Sequence, residues 1–230
     1  MQIENEQFQR TRTLIGDDSL KKLFNSRVIV FGIGGVGGYV VEALARAGIG
    51  EIDLVDNDTI NLSNLNRQIV ALYSTLNEFK VEVARARILD INPQVKVNAY
   101  KNFFSDENSS EFDFLKYDYI IDAIDSVKSK IELIKCAKNA GVSIISSMGT
   151  GNKMNPSMLE ISDISKTSVC PLARVMRSEL KKQGIKNLKV VYSKEEPIKT
   201  GLRTPSSNSF VPSSAGLLIA SDVVRDLINY

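Results

Sequence analysis

The stretch that most restricts the fold lies between Val28 and Glu51. There an apolar strand passes through Gly32-Ile33-Gly34-Gly35-Val36-Gly37 into a helix striped with Val40, Val41, Leu44 and Ala47, which breaks at Gly48-Ile49-Gly50. A strand that turns straight into a helix over glycines belongs in a parallel βαβ unit. Its helix start leaves unpaired N–H groups beside the positive end of the dipole, and the glycines remove side chains that would hold a phosphate away. Asp56, which ends the next apolar strand Glu51 to Val55, stands 24 residues after Gly32, where a carboxylate can accept hydrogen bonds from ribose hydroxyls. The turn predicts a nucleotide without saying which.

Strand-like segments at Arg27 to Phe31, which leads into the glycine turn, Glu51 to Val55, Val95 to Tyr100, Tyr119 to Ile121 and Val142 to Ser146 alternate with helical patterns. One predicted helix, Glu78 to Asn92, buries Val81, Ala84, Ile88 and Ile91 and stops at Pro93, and another runs from Ser126 to Ala140 before Gly141. The carboxyl ends of the strands then open toward one rim. After Gly149-Thr150-Gly151 the pattern changes to a strand Met158 to Ile164, a helix Leu172 to Gln183, a strand Lys189 to Ser193, a Ser/Pro loop Thr200 to Ser214 and a helix Ala215 to Ile228. The expected fold is α/β, a Rossmann-like, mostly parallel sheet with helices on both faces, extended by a C-terminal part with mixed strands. We read 1–230 as one domain, with 1–150 as its nucleotide-binding part and 151–230 as its substrate-binding and C-terminal part.

With no histidine and only Cys136 and Cys170, the chain lacks a Cys-x-x-Cys zinc framework, a Ser-His-Asp triad and any imidazole base. Cys136 is expected as packing on an apolar helix, and Cys170 as a neutral loop residue. The net charge of +2 conceals a local excess of +7 between Lys166 and Arg203, with −5 elsewhere. Met1 to Arg12 carries Glu4 and Glu6 and no apolar signal core, and the glycine-interrupted uncharged run Val28 to Val41 has 14 residues against the ~20 needed to span a bilayer. A cytoplasmic protein without a transmembrane segment is expected.

Beyond Asp56 lie Asn61-Leu62-Ser63-Asn64-Leu65-Asn66-Arg67-Gln68 and then Lys80 at a helix start. A pyrophosphate is usually satisfied by the helix N-terminus, whereas a triphosphate calls for cations such as Arg67 and Lys80. Lys80 also opposes its helix dipole unless an anion lies nearby. Together with Gly32-x-Gly34-Gly35-x-Gly37, Asp56-x-Asp58 and Asp122-Ala123-Ile124-Asp125-Ser126, these residues resemble the ubiquitin-activating-enzyme-like superfamily over nearly the whole chain. Ile121 to Asp125, Ser146-Ser147-Met148-Gly149, Asp163 to Thr167 and Pro205-Ser206-Ser207-Asn208 are similar to the tRNA threonylcarbamoyladenosine dehydratases within it. Gly38 and Cys170-Pro171 depart from that pattern.

The resemblance implies ATP-dependent cyclisation of threonylcarbamoyladenosine at position 37 of tRNA. The threonyl carboxylate would form an acyl-adenylate, and a heteroatom of the carbamoyl group would displace AMP. Asp56 would hold the ribose, with Asp58 beside it; Asn64, Arg67 and Lys80 would hold the phosphates, Gln68 would also bind the nucleotide, and Asp125 would sit at the α-phosphate with Mg²⁺. Asp122 is expected to fix the local backbone or a water rather than to react. Arg10 would reach the ATP of a second copy in a homodimer. The basic segment, including Arg174, Arg177, Lys181, Lys182, Lys186 and Lys189, would meet tRNA phosphates. A structural monovalent cation and a sulfur-transfer protein are further partners that the resemblance allows. From the residues alone, Asp125 also reads as an N-cap for the helix at Ser126. The competing functions are an adenylyltransferase that activates the C-terminal glycine of a ubiquitin-like sulfur carrier, a non-catalytic nucleotide-responsive protein, and an NAD-dependent dehydrogenase that would leave Arg67 and Lys80 unexplained.

Overall fold

A computed structural model describes residues 5–202 and 204–230. Its strands are β1 Arg27–Phe31, β2 Glu51–Val55, β3 Lys96–Tyr100, β4 Tyr119–Asp122, β5 Ser143–Ser147, β6 Leu159–Asp163 and β7 Lys189–Ser193. They form one sheet in the order β3-β2-β1-β4-β5-β7-β6. All the pairings are parallel except that of β6 with β7. The fold expected from sequence is therefore the observed one, including the mixed strands after Gly151.

Each strand of a covered parallel sheet feeds both faces, because successive side chains point opposite ways. Val28 and Val30 of β1 enter one core with Ile52, Leu54 and Val40, while Ile29 and Phe31 enter the other with Ile120, Phe104, Phe112 and Phe114. The helices are α1 Gln9–Ile15, α2 Asp17–Asn25, α3 Gly37–Ala47, α4 Lys80–Ile91, α5 Val127–Ala140, α6 Pro171–Lys182 and α7 Val211–Ile228. On one face α7 crosses α3 so closely that a Cβ on Gly216 would run into the Val36 carbonyl oxygen. This contact brings the start of α7 over the glycine turn.

Several boundaries differ from expectation for physical reasons. The last helix begins at Val211 rather than Ala215, since Pro212 fits a first helical turn and Asn208 Oδ1 accepts the N–H groups of Phe210 and Val211. The second expected helix starts at Lys80, not Glu78, and its Ile91 is half-buried, as is Ala47 of α3. The short helices α1 and α2 escape notice in the sequence; α1 buries none of its own residues and follows the buried Phe8, and α2 buries only Leu20 and Leu23. Of the expectations above, those on Met1–Glu4 and on Arg203 lie outside the described residues.

Candidate active site

The strand order reverses between β1 and β4, so the crevice at their carboxyl ends is where an open parallel sheet binds its ligand. A cavity of about 740 Å³ lies there. Gly32, at φ +88°, leaves β1 with its Cα facing the chain that leaves β4: a Cβ would stand 2.5 Å from Ala123 O. A Cβ on Gly37 would collide with the Gly32 carbonyl oxygen, so this glycine closes the turn from behind and does not line the cavity. Gly34 and Gly35 do line it; the nearest atom to a Gly34 Cβ would be Gln68 Nε2 at 3.9 Å. Gly32 and Gly37 thus shape the turn, and Gly32, Gly34 and Gly35 present backbone to the cavity.

Asp56, Asp58, Asn64, Arg67, Gln68, Lys80 and Asp125 all face the same cavity. Asp56 Oδ2 accepts the Ile33 N–H at 2.7 Å and Oδ1 accepts the Asp58 N–H at 2.8 Å, which locks the carboxylate beside the glycine turn. Burial raises its pKa above the ordinary aspartate value, against the opposing pull of Lys80 and of those two N–H groups. Lys80 is buried with its ammonium 2.6 Å from Asp58 Oδ2, so the anion beside this helix start is in part the protein's own. Asn64 is buried; its Oδ1 accepts the Asn61 N–H and secures the short helical turn before Arg67. Gln68 Oε1 is buried without a hydrogen-bond partner, and such an orphan beside a cavity fits a ligand that brings a donor.

Asp125 is exposed at the rim and makes no hydrogen bond or ion pair among the described residues. It is not the cap of α5: Ser126 is, accepting the Ser129 N–H. Asp122 behaves as expected, accepting the Ile124 N–H at 3.1 Å. The sequence reading missed its partner. Lys130, fully buried, places Nζ 3.0 Å from Asp122 Oδ2 and 2.8 Å from Ser147 O, and Ser146 Oγ donates to Asp122 Oδ2 at 2.5 Å. A lysine on the apolar stripe of Leu133, Ile134 and Ala137 was the available signal. Together these groups clamp the ends of β4 and β5 behind the turn that carries Asp125.

Elsewhere the expectations divide. Arg10 is exposed on α1 and does not line this cavity. Cys136 is only half-buried, with Sγ 3.6 Å from Glu132 Oε1, and burial pushes its thiol pKa up. Cys170 is buried at the start of α6. Within the basic segment Arg177 is folded onto the Thr167 hydroxyl, Lys189 onto Asp222 and Asp226, and Lys182 onto Glu179. Arg174, Lys181 and Lys186 remain exposed with no ion pair among the described residues. The described residues contain no cluster of three or more Cys, Asp or Glu that could hold a metal unaided, and no helix among them is long and apolar enough to cross a membrane.

The sequence and fold of the whole chain match known proteins. A model of the ThiF family matches residues 8–230. The chain belongs to the ThiF family. Among relatives in that family, the tRNA threonylcarbamoyladenosine dehydratase of Bacillus subtilis is 43% identical over 240 residues, covering 96% of this chain and 94% of that one. The crystal structure of E. coli tRNA N6-threonylcarbamoyladenosine dehydratase, TcdA, in complex with ATP aligns with a TM-score of 0.93 at 31% identity, covering 100% of this chain and 98% of that one. The adenylyltransferase and sulfurtransferase UBA4 of Saccharomyces cerevisiae is 36% identical over 150 residues, but this chain spans only 34% of its length.

Proposed function

We propose that this ThiF-family chain is an ATP-dependent tRNA threonylcarbamoyladenosine dehydratase. The observation that carries the reading is likeness over nearly the full length of both chains to dehydratases, one of them solved with ATP. The likeness to the sulfur-carrier-activating type stops at about a third of that protein's length. The cavity's chemistry supports the same reading: backbone N–H groups at a helix start, two cations, and a free carboxylate at the rim.

In the mechanism we propose, Asp56 accepts the ribose hydroxyls, with Asp58 holding Lys80 in place, Arg67 and Lys80 neutralise the phosphates beside Asn64, and Gln68 Oε1 accepts a hydrogen bond from the nucleoside part of ATP. The threonyl carboxylate attacks the α-phosphorus of ATP, and the bond to the bridging oxygen breaks as pyrophosphate leaves. A carbamoyl heteroatom then attacks the activated carbonyl carbon; the acyl–phosphate bond breaks, AMP departs, and the heteroatom's proton is lost to solvent. The substrate has lost one water. Because that nucleophile is tethered, no histidine or enzyme nucleophile is needed. Asp125 would hold Mg²⁺, which would supply charge stabilisation at the α-phosphate. Arg10, exposed and away from its own cavity, would serve the cavity of a second copy in a homodimer. The unpaired Arg174, Lys181 and Lys186 would meet tRNA phosphates in the cytoplasm.

Mass spectrometry of tRNA nucleosides tests the reading. Incubation with ATP and Mg²⁺ should remove one water from threonylcarbamoyladenosine, and neither Arg67→Ala nor Asp125→Ala should do so. Pyrophosphate exchange stimulated by a carrier protein ending in Gly-Gly, with tRNA left unchanged, would overturn it in favour of sulfur-carrier activation.

A further inference from the structure

Asn66 has no part in the mechanism above, yet its amide makes two bonds in opposite directions. Nδ2 donates to the Ser207 carbonyl oxygen at 3.1 Å, and Oδ1 accepts from Arg67 Nη1 at 2.9 Å. Arg67 Nη1 also donates to Ser63 O at 2.9 Å. Two acceptors on one nitrogen turn the guanidinium so that its Nε–Nη2 edge stays free, since neither atom is hydrogen-bonded among the described residues. That edge is the one that makes two parallel bonds to a phosphate. A reversed amide would set its oxygen against Ser207 O and its N–H against the guanidinium, so the orientation of Asn66 is determined.

Ser207 belongs to a strap that forms another wall of the cavity, with Pro205 and Pro212. The strap is tied to the segment after β5: Ser206 N–H donates to Asn152 Oδ1 and Asn152 N–H to Ser206 O, both at 2.7 Å, and Asn208 Nδ2 donates to Lys153 O at 2.6 Å. Toward the phosphate-binding segment 56–80, residues 204–210 make a single hydrogen bond among the described residues, the one from Asn66.

We infer that Asn66 is a positioning residue that sets the phosphate-binding edge of Arg67 and ties it to the strap. ATP on Arg67 and the substrate nucleoside against the strap then strengthen each other's binding; the second half of this statement rests on the dehydratase reading. The test measures the Kd of threonylcarbamoyladenosine-bearing tRNA for the full chain, with and without saturating α,β-methylene-ATP. The analogue should tighten tRNA binding by about fivefold or more. Asn66→Ala, which removes both bonds, and Asn66→Asp, which keeps the acceptor for Arg67 but cannot donate to Ser207, should both reduce that ratio to about one. Because Asn66 is exposed, both variants should melt within about 1 °C of the wild type. A ratio of one in the wild type, or an undiminished ratio in either variant, overturns the inference. If the wild type does not bind this tRNA at all, the dehydratase reading fails instead. Hydrogen exchange of residues 204–210 then decides the Asn66 link: slowing by the analogue in the wild type but not in the variants supports it, and equal slowing in all three overturns it.

Discussion

Replacing Lys130 by methionine asks whether a buried charge pair holds the turn that carries Asp125. Both Lys130 and Asp122 have 0% of their surface exposed. Methionine keeps most of the volume, so the effect is electrostatic rather than a cavity. The Asp122 carboxylate would keep two donors, Ser146 Oγ at 2.5 Å and Ile124 N at 3.1 Å, but no counter-charge. Breaking a buried pair from one side costs about 3–5 kcal/mol, and the two remaining donors favour about 3. Ser147 O loses its lysine donor, which adds about 1 kcal/mol. In a chain of this length the melting temperature should fall by about 8–16 °C. Combining Lys130→Met with Asp122→Asn should recover about half of the loss, because a neutral amide needs no counter-ion. Urea unfolding of the wild type, both single variants and the double variant, compared at equal m-values, measures this directly. A Lys130→Met loss below about 1 kcal/mol, or a double variant that loses the sum of the singles, would refute the reasoning. The turn would then be held by the packing of Ala123 on Gly32 alone.

Three further outcomes follow from the site. Asp125→Ala should leave ATP affinity within about threefold and the fold intact, yet slow AMP formation by about a hundredfold or more, read in single-turnover assays. A large loss of ATP affinity with chemistry preserved would move Asp125 out of the reaction. Gly37→Ala should abolish ATP binding and lower stability through its collision with the Gly32 carbonyl, whereas Gly34→Ala, with 3.9 Å to its nearest neighbour, should fold normally; calorimetry on both compares them. Burial raises the Asp56 pKa, so the folded chain keeps that proton where the unfolded chain has lost it. Its contribution to stability therefore declines as pH rises from the ordinary aspartate value through the raised one. ATP binding should move the other way, weakening on acidification through the raised value. Asp56→Asn should bind ATP less tightly and lack that acid limb, and an acid limb at the ordinary aspartate value in the wild type would count against the assignment.

The glycine turn, Asp56, Arg67 and Lys80 were legible because each sits at a place set by local rules: a strand end, a helix start, a short polar segment between them. What joins distant segments was not. The Asn152–Ser206 and Asn66–Ser207 contacts form only once β5 and α7 have been brought to the same crevice, and no periodicity announces which amide will face which carbonyl. The charge count misled for the same reason. An excess of +7 between Lys166 and Arg203 treats every cation alike. Folding brings Asp222 and Asp226 from α7 onto Lys189 and turns Arg177 inward onto Thr167. The field that reaches solvent therefore comes from fewer cations, Arg174, Lys181 and Lys186 among them, and α6, which bears the first two, begins beside the cavity at Leu172. Charge near an RNA phosphate acts over about a Debye length, about 8–10 Å at ordinary ionic strength, so a cation's distance from the cavity matters more than its place in a run.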